Sequence, residues 1–197
     1  MNDFLAIDFE TADYLPESAI SVGIVKYHNY KPLASYYSLI RPPVLYIRPD
    51  FTDIHGLTVS DVEDAPDFKY IWENEIRGFF GSVPVAAHNA VFDMKVLNAV
   101  LNHYEIPAPE TPCFCSLEVS RKVWPELRSH ALAALAKHFS ITYDAHNAAA
   151  DAHTCAQIIC LAAESVSRKN RRKKILPVDD LLKKTGVKTH SINGFCR

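Results

Sequence analysis

The chain has 197 residues, about one to one and a half average domains, so one catalytic or binding unit is expected. Hydrophobic residues make up 48% and charged residues 22%, which excludes collagen-like and wholly disordered chains, and no run of about 18 apolar residues is present to span a membrane. The formal net charge of −2 hides a split: residues 1–164 carry 11 Lys and Arg against 21 Asp and Glu, a net of −10, while residues 165–197 carry 10 against 2, a net of +8.

That split suggests a folded unit over 1–164 and a basic, solvated tail over 165–197, with Arg168, Lys169, Arg171, Arg172, Lys173 and Lys174 in one run of seven. Such blocks often meet polyanions. The acidic body argues against broad duplex binding, which needs many cation–phosphate contacts. It suits a metal enzyme, whose carboxylates are neutralised by bound cations. The N-terminal MNDFLAIDFE has no basic stretch, and Asp8 interrupts its apolar run, so no signal peptide is expected. Five cysteines, Cys113, Cys115, Cys155, Cys160 and Cys196, then read as reduced thiols of a cytoplasmic protein. Cys113-x-Cys115 has no second pair at zinc spacing.

In chain order, Phe4–Ile7 leads into Asp8-Phe9-Glu10 as a buried central strand. Residues 19–27 and 33–40 are β-rich and joined by a short polar link, a hairpin. Residues 41–67, with several prolines and acids, read as a long irregular connection. Tyr70–Phe80 has helical spacing with Gly81 after it. Val83–Ala87 is a second short buried strand. A helix over Ala90–Tyr104 puts Phe92, Val96, Leu97, Val100 and Leu101 on one stripe. A last short strand is expected at 112–115 and a short helix at Ser116–Val123. Ser129 reads as the N-cap of a helix His130–His138, with Leu132, Leu135 and Phe139 inward. Ala148–Glu164 is a strong helix, and at most one short helix follows, near Asp179–Lys184. The order predicts an α/β fold, a mixed sheet with helices on its faces.

Three clusters carry chemistry. In a strand, residues i and i+2 share a face, so Asp8 and Glu10 project together. Two adjacent carboxylates are costly unless they share a cation or a proton. In His88-Asn89-Ala90-Val91-Phe92-Asp93 a strand ends and a helix begins, with Asp93 in its first turn. A helix dipole alone accounts for such an acid, but not for His88 and Asn89 beside it. In His146-x4-Asp151 the two ends would lie about 140° apart on one helix. They can converge only if His146 stays on the loop. Asp151 sits among alanines, where an unpaired charge is costly, and that favours a metal. Four acids without thiolates fit Mg²⁺ or Mn²⁺. Two such ions about 3.5–4 Å apart can clamp an in-line phosphoryl displacement, with a histidine accepting a proton from water.

Asp8-Phe9-Glu10-Thr11, His88 to Asp93 and His146-x4-Asp151, together with Ile54-His55-Gly56-Leu57-Thr58, resemble the DEDD exonuclease superfamily in its histidine subtype. This is the DNA polymerase III epsilon-like and RNase T-like group, and the resemblance spans about residues 3–163. Asn147, four before Asp151, disfavours the tyrosine subtype. The resemblance implies an RNase H-like fold with a central mixed five-stranded sheet, two divalent ions, and 3′→5′ release of nucleoside monophosphates. Carried over by position, Asp8, Glu10, Asp93 and Asp151 hold metal, and His146 is the general base. Thr11, His55 and Asn89 lie near the terminal nucleotide. Where the family often continues with Thr-Gly, this chain has Ala12-Asp13, which alters the loop facing the terminal base rather than the acids. The implied partner is a single-stranded DNA or RNA 3′ end, with a DNA polymerase subunit reached through residues 165–197. A silent nuclease-like binding module and an RNA-directed exonuclease are the alternatives. A pure binding module has no need of clustered, mutually repelling carboxylates.

Overall fold

In the computed structural model, which describes residues 3–81, 83–142 and 144–195, the apolar run after Asp3 is strand β1 (Phe4–Thr11). Its alternation serves two cores. Phe4 and Ala6 enter one, Leu5, Ile7 and Phe9 the other. β2 (Ala19–His28) and β3 (Lys31–Leu39) form the expected hairpin. Its turn residues Asn29 and Tyr30 have φ of 52° and 61°, the doubly positive pair that matches hairpin twist. β4 (Val85–Ala87) and β5 (Cys113–Cys115) are short and buried. The sheet order is β3-β2-β1-β4-β5, antiparallel among the first three strands and parallel from β1 to β5. This is the mixed five-stranded sheet that the sequence implied.

The connection over 41–67 is not wholly irregular: it holds α1 (Pro49–His55) and α2 (Val59–Val62). α1 buries no residue, so it has no apolar stripe to reveal it. Its signals are Pro49 at the start and Gly56, left-handed at φ 76°, at the end. The helix expected from Tyr70 begins earlier, as α3 (Phe68–Ile71), where the Asp67 side chain accepts the Tyr70 N–H at 2.8 Å. It continues through a π turn at Trp72–Ile76 and a 3₁₀ turn at Arg77–Phe79.

Helix α4 (Val91–His103) buries Met94, Val96, Leu97, Val100 and Leu101. Phe92, assigned to that stripe, is 43% exposed instead, because the buried face of the first turn is taken by Asp93 and Met94. α5 (Ser116–Val123) lies where expected. α6 (Leu132–His138) starts two residues late, and Ser129 is not its N-cap. The cause is His130, whose carbonyl faces His88 Nε2 at 2.9 Å and whose Nδ1 lies 3.2 Å from Ser120 Oγ.

The larger correction concerns the C-terminal segment. α7 (Ala148–Lys169) runs straight through the expected boundary at residue 164. Beyond it come α8 (Val178–Thr185) and a 3₁₀ turn at Ile192–Phe195. Leu176, Val178, Leu181, Leu182 and Val187 join the core that contains Phe4, Ala6 and the α7 alanines, and Ile192 joins the other. His190 pairs with Cys113 on the free edge of β5, with N–H···O distances of 2.8 and 2.7 Å. The segment has too few apolar residues for a core of its own, but it adds them to cores built by others. Its basic side chains from Arg168 to Lys174 remain outside. Cys113, Cys115, Cys155 and Cys160 are free thiols, and Cys196 lies outside the described residues. Among the described residues no helix is long and apolar enough to cross a membrane.

Candidate metal centre

Counting in twos from Phe4 and Ala6 brings Asp8 and Glu10 to the α7 face of β1. Asp151, in the first turn of α7, meets them there. Asp93 arrives from the parallel side of the sheet. The Leu5 N–H donates to the Pro84 carbonyl at 2.9 Å, at the start of β4. Four residues further along the same edge of β1, past the end of β4, the Phe9 N–H donates to Asp93 Oδ1 at 3.1 Å. The carboxylate of α4 thus takes a ladder position that the three-residue β4 cannot reach.

Asp93 and Asp151 are buried, at 1% and 6% exposure, while Asp8 and Glu10 are half-buried. Burial, then Asp93, Asp151 and Glu10, hold Asp8 well above the usual carboxylate range. Burial also lifts Asp93, partly opposed by backbone N–H groups including that of Phe9. Glu10 is pushed up to about 7 by burial and then by Asp151. Among the described residues, no ammonium or guanidinium is among the groups acting on these three. A set of hard oxygen donors that repel one another fits divalent cations.

His146 stands on the loop before α7, exposed, at a left-handed φ of 62°. It is followed by the N-cap Asn147, whose side chain accepts the Ala149 and Ala150 N–H groups at 3.1 and 3.2 Å. This places one atom each from Glu10, His146 and Asp151 within 4.8 Å of one another. The two ends of His146-x4-Asp151 converge because only Asp151 is helical.

The three remaining candidates divide. Thr11, at the end of β1, is buried. His55 touches the Thr11 backbone and lies close enough to His146 for its charge to be felt; burial holds it below the ordinary histidine value. Asn89 is exposed at φ 68° and lines a groove of about 720 Å³ with Arg121, Arg128 and His130. Its neighbour His88 is not placed as a proton carrier. Its Nε2 faces the His130 carbonyl at 2.9 Å and its Nδ1 faces Ser116 Oγ at 2.9 Å. A carbonyl can only accept, so Nε2 carries a hydrogen. Burial pushes its pKa down to about 4. His88 pins α5 and the loop before α6 to the end of β4.

Beside Thr11 lies an apolar cleft of about 200 Å³ that sequence reading missed, walled by Tyr14, Leu15, Phe51, Phe92 and Val96. Tyr14 and Leu15 sit on the loop that begins with Ala12-Asp13. That loop is held by Asp13 Oδ1 accepting the Leu15 N–H at 2.7 Å and by Arg48 over the Tyr14 ring at 4.8 Å. The available signal was the departure from Thr-Gly, since it marks a loop with its own shape.

The family described as Exonuclease (RNase_T) matches residues 5–159. DNA polymerase III PolC-type from Streptococcus thermophilus (strain ATCC BAA-491 / LMD-9) is 28% identical over 144 residues, 70% of this chain and 10% of that protein. The chain therefore spans about a tenth of the length of the polymerase relatives it matches. Exonuclease X in complex with 5′ overhanging duplex DNA superposes with a TM-score of 0.63 at 22% identity, covering 90% of this chain and 99% of that one. The nuclease domain of 3′hExo, a DEDDh family member bound to rAMP, gives 0.69 at 16% identity, over 88% and 94%. At these identities the structural likeness is one of fold, the RNase H-like arrangement expected from the motifs.

Proposed function

The chain belongs to the exonuclease family, and from that premise we propose that it is a metal-dependent 3′→5′ exonuclease that releases nucleoside monophosphates from single-stranded ends. The observation that carries the proposal is the meeting of Glu10, His146 and Asp151 within ligand distance, with Asp8 and Asp93 against them. Asp8, Glu10, Asp93 and Asp151 would hold two Mg²⁺ or Mn²⁺ ions, which when bound neutralise the acids and polarise the phosphoryl oxygens.

The residues of the chain supply the rest. His146, on its loop, takes a proton from the attacking water as the oxygen bonds to phosphorus. The bond from phosphorus to the preceding 3′ oxygen breaks, and that oxygen leaves as it takes a proton from solvent. Thr11 and His55 position the terminal sugar and phosphate. The cleft of Tyr14, Leu15, Phe51 and Phe92 offers the terminal base an apolar and aromatic wall, which accepts any base because every base has a π face. Entry into such a site requires an unpaired end, so single strands are preferred. Relatives that carry the matching segment inside a DNA polymerase III PolC-type chain support a proofreading-like setting, with DNA as the first substrate to test.

The test is incubation with 5′-labelled single-stranded DNA and RNA oligonucleotides in Mg²⁺, Mn²⁺ or EDTA. Stepwise shortening with mononucleotide product, abolished by EDTA, is expected. Internal cuts, or cleavage that survives chelation, would overturn the proposal.

A further inference from the structure

The proposed chemistry uses the terminal nucleotide and gives no role to the cations on α5, on α7 and in the segments that follow them. α5 connects the two regions. At its start, Ser116 Oγ meets His88 and accepts from Cys155 Sγ at 3.2 Å, beside the carboxylate end of the sheet. At its far end, the Val123 carbonyl accepts Lys169 Nζ at 3.1 Å. α5 therefore runs alongside α7 from the metal centre toward the basic end of that helix.

Two groups of exposed cations stand along this path. Arg121 and Arg128 line the groove that also holds Asn89 and His130. Arg121 is near enough to His88 to depress its protonation. Beyond the end of α5 stand Arg168 and Lys169 on α7, followed by Arg171, Lys173 and Lys174, all exposed. Acids accompany part of this set: Arg168 pairs with Glu164 at 2.8 Å and Arg172 with Asp180 at 3.5 Å. Among the described residues, Arg171, Lys173 and Lys174 take part in no ion pair. The run is held in place, because Leu176 just beyond it is buried and its N–H donates to Ser167 Oγ at 2.9 Å.

We infer that this face is a backbone track for the single strand 5′ of the reacting bond, with the Arg121–Arg128 groove as its first phosphate station and Arg171, Lys173 and Lys174 as its last. The inference rests on the exonuclease reading for the direction of the strand. From Asp151 to Lys169 is 18 residues of helix, roughly 27 Å at 1.5 Å per residue. A stacked strand at about 3.4 Å per nucleotide covers that in roughly eight nucleotides. A tetranucleotide can reach only the groove, and a dodecanucleotide reaches both stations.

The test is fluorescence anisotropy with labelled oligothymidylate and oligouridylate of 4 and 12 nucleotides, in Ca²⁺, at several salt concentrations. Binding is read apart from cleavage, so a chain that binds here yet shortens no oligonucleotide in Mg²⁺ or Mn²⁺ would sink the exonuclease reading and leave the track standing. The variant R121Q/R128Q should weaken both lengths by about tenfold or more, as loss of charged contacts does. It should also flatten the salt slope by about 1.4 for two lost phosphates. The variant R171Q/K173Q/K174Q should weaken only the 12-mers. Unchanged 12-mer affinity in either variant overturns the track. For the distal variant, that result would assign the surface to an acidic protein partner instead.

Discussion

Gly23 of β2 and Ala148 of α7 meet backbone to backbone where the helix packs on the sheet. A Cβ on Gly23 would overlap the Ala148 carbonyl, with Ala149 N at 2.5 Å. Gly23 is the antiparallel partner of Asp8 on the neighbouring strand, and Ala148 opens α7, three residues before Asp151. The absent side chain therefore sets how closely the helix that carries Asp151 approaches the strand that carries Asp8 and Glu10.

Gly23→Ala should push the first turn of α7 off the sheet. Overpacking of this kind costs about 1–3 kcal/mol, which a folded domain can survive. The larger effect should fall on turnover, because a displacement of about 1 Å in a reacting constellation can cost 10²-fold. Melting temperature and kcat measured on the same preparation check this. A variant with wild-type kcat would show that the close approach matters for packing alone.

His146→Ala should lower kcat by roughly 10²–10⁴-fold, the usual contribution of a general base. Metal binding should persist, because the four acids remain. The check is a pair of readings: single-turnover rate, and the rise in melting temperature on adding Mn²⁺. If turnover holds near wild type at neutral pH, another group activates water. If the Mn²⁺ response vanishes, His146 is a ligand.

Metal-free protein should become less stable as pH rises. Glu10 has its pKa raised from 4.5 to about 7 in the fold, and Asp8 and Asp93 are raised in the same direction. In this range the folded state binds more protons than the unfolded chain, so stability falls with pH. The contribution of Glu10 is complete below about 4.5 and lost as pH passes about 7. In EDTA, the melting temperature should drop between pH 5 and pH 8. Mg²⁺ or Mn²⁺ should raise it more at pH 8, because protons no longer compete for the carboxylates. An equal metal effect at both pH values would contradict this account.

What could be read from the sequence was what local geometry decides. The strand period put Asp8 and Glu10 on one face, and the helical angle showed that His146 must stay off the helix if it is to meet Asp151. The succession of strands along the chain followed from short apolar runs. Features assembled from distant segments were not legible. The apolar cleft draws Tyr14, Phe51 and Phe92 from three elements, and no one of these segments announces it. The groove of Arg121 and Arg128 depends on how His88 and Ser120 hold His130. α1 carries no buried residue, so hydrophobic periodicity had nothing to report.

Residues 165–197 supply the last prediction, and packing reverses the one that charge suggested. A net of +8 and a run of cations read as a solvated tail, removable without loss. Yet Leu176, Val178, Leu181, Leu182 and Ile192 are each at most 5% exposed. Burying a Val, Leu or Ile side chain is worth about 1.5–3 kcal/mol. Five of them together rival the whole stability of an ordinary domain, about 5–15 kcal/mol. Truncation after Glu164 also removes five residues from the C-terminal end of α7 and the His190 bridge on the β5 edge. The truncated chain should therefore fail to fold cooperatively, giving no sharp thermal transition by circular dichroism and no hydrolysis of any oligonucleotide. Leu181→Ala in the full chain is the milder check. It should cost about 2–5 kcal/mol, leaving a folded protein with a lowered melting temperature and an intact metal response. A truncated protein that melts sharply at the wild-type temperature would show that the buried leucines add nothing the rest of the chain needs.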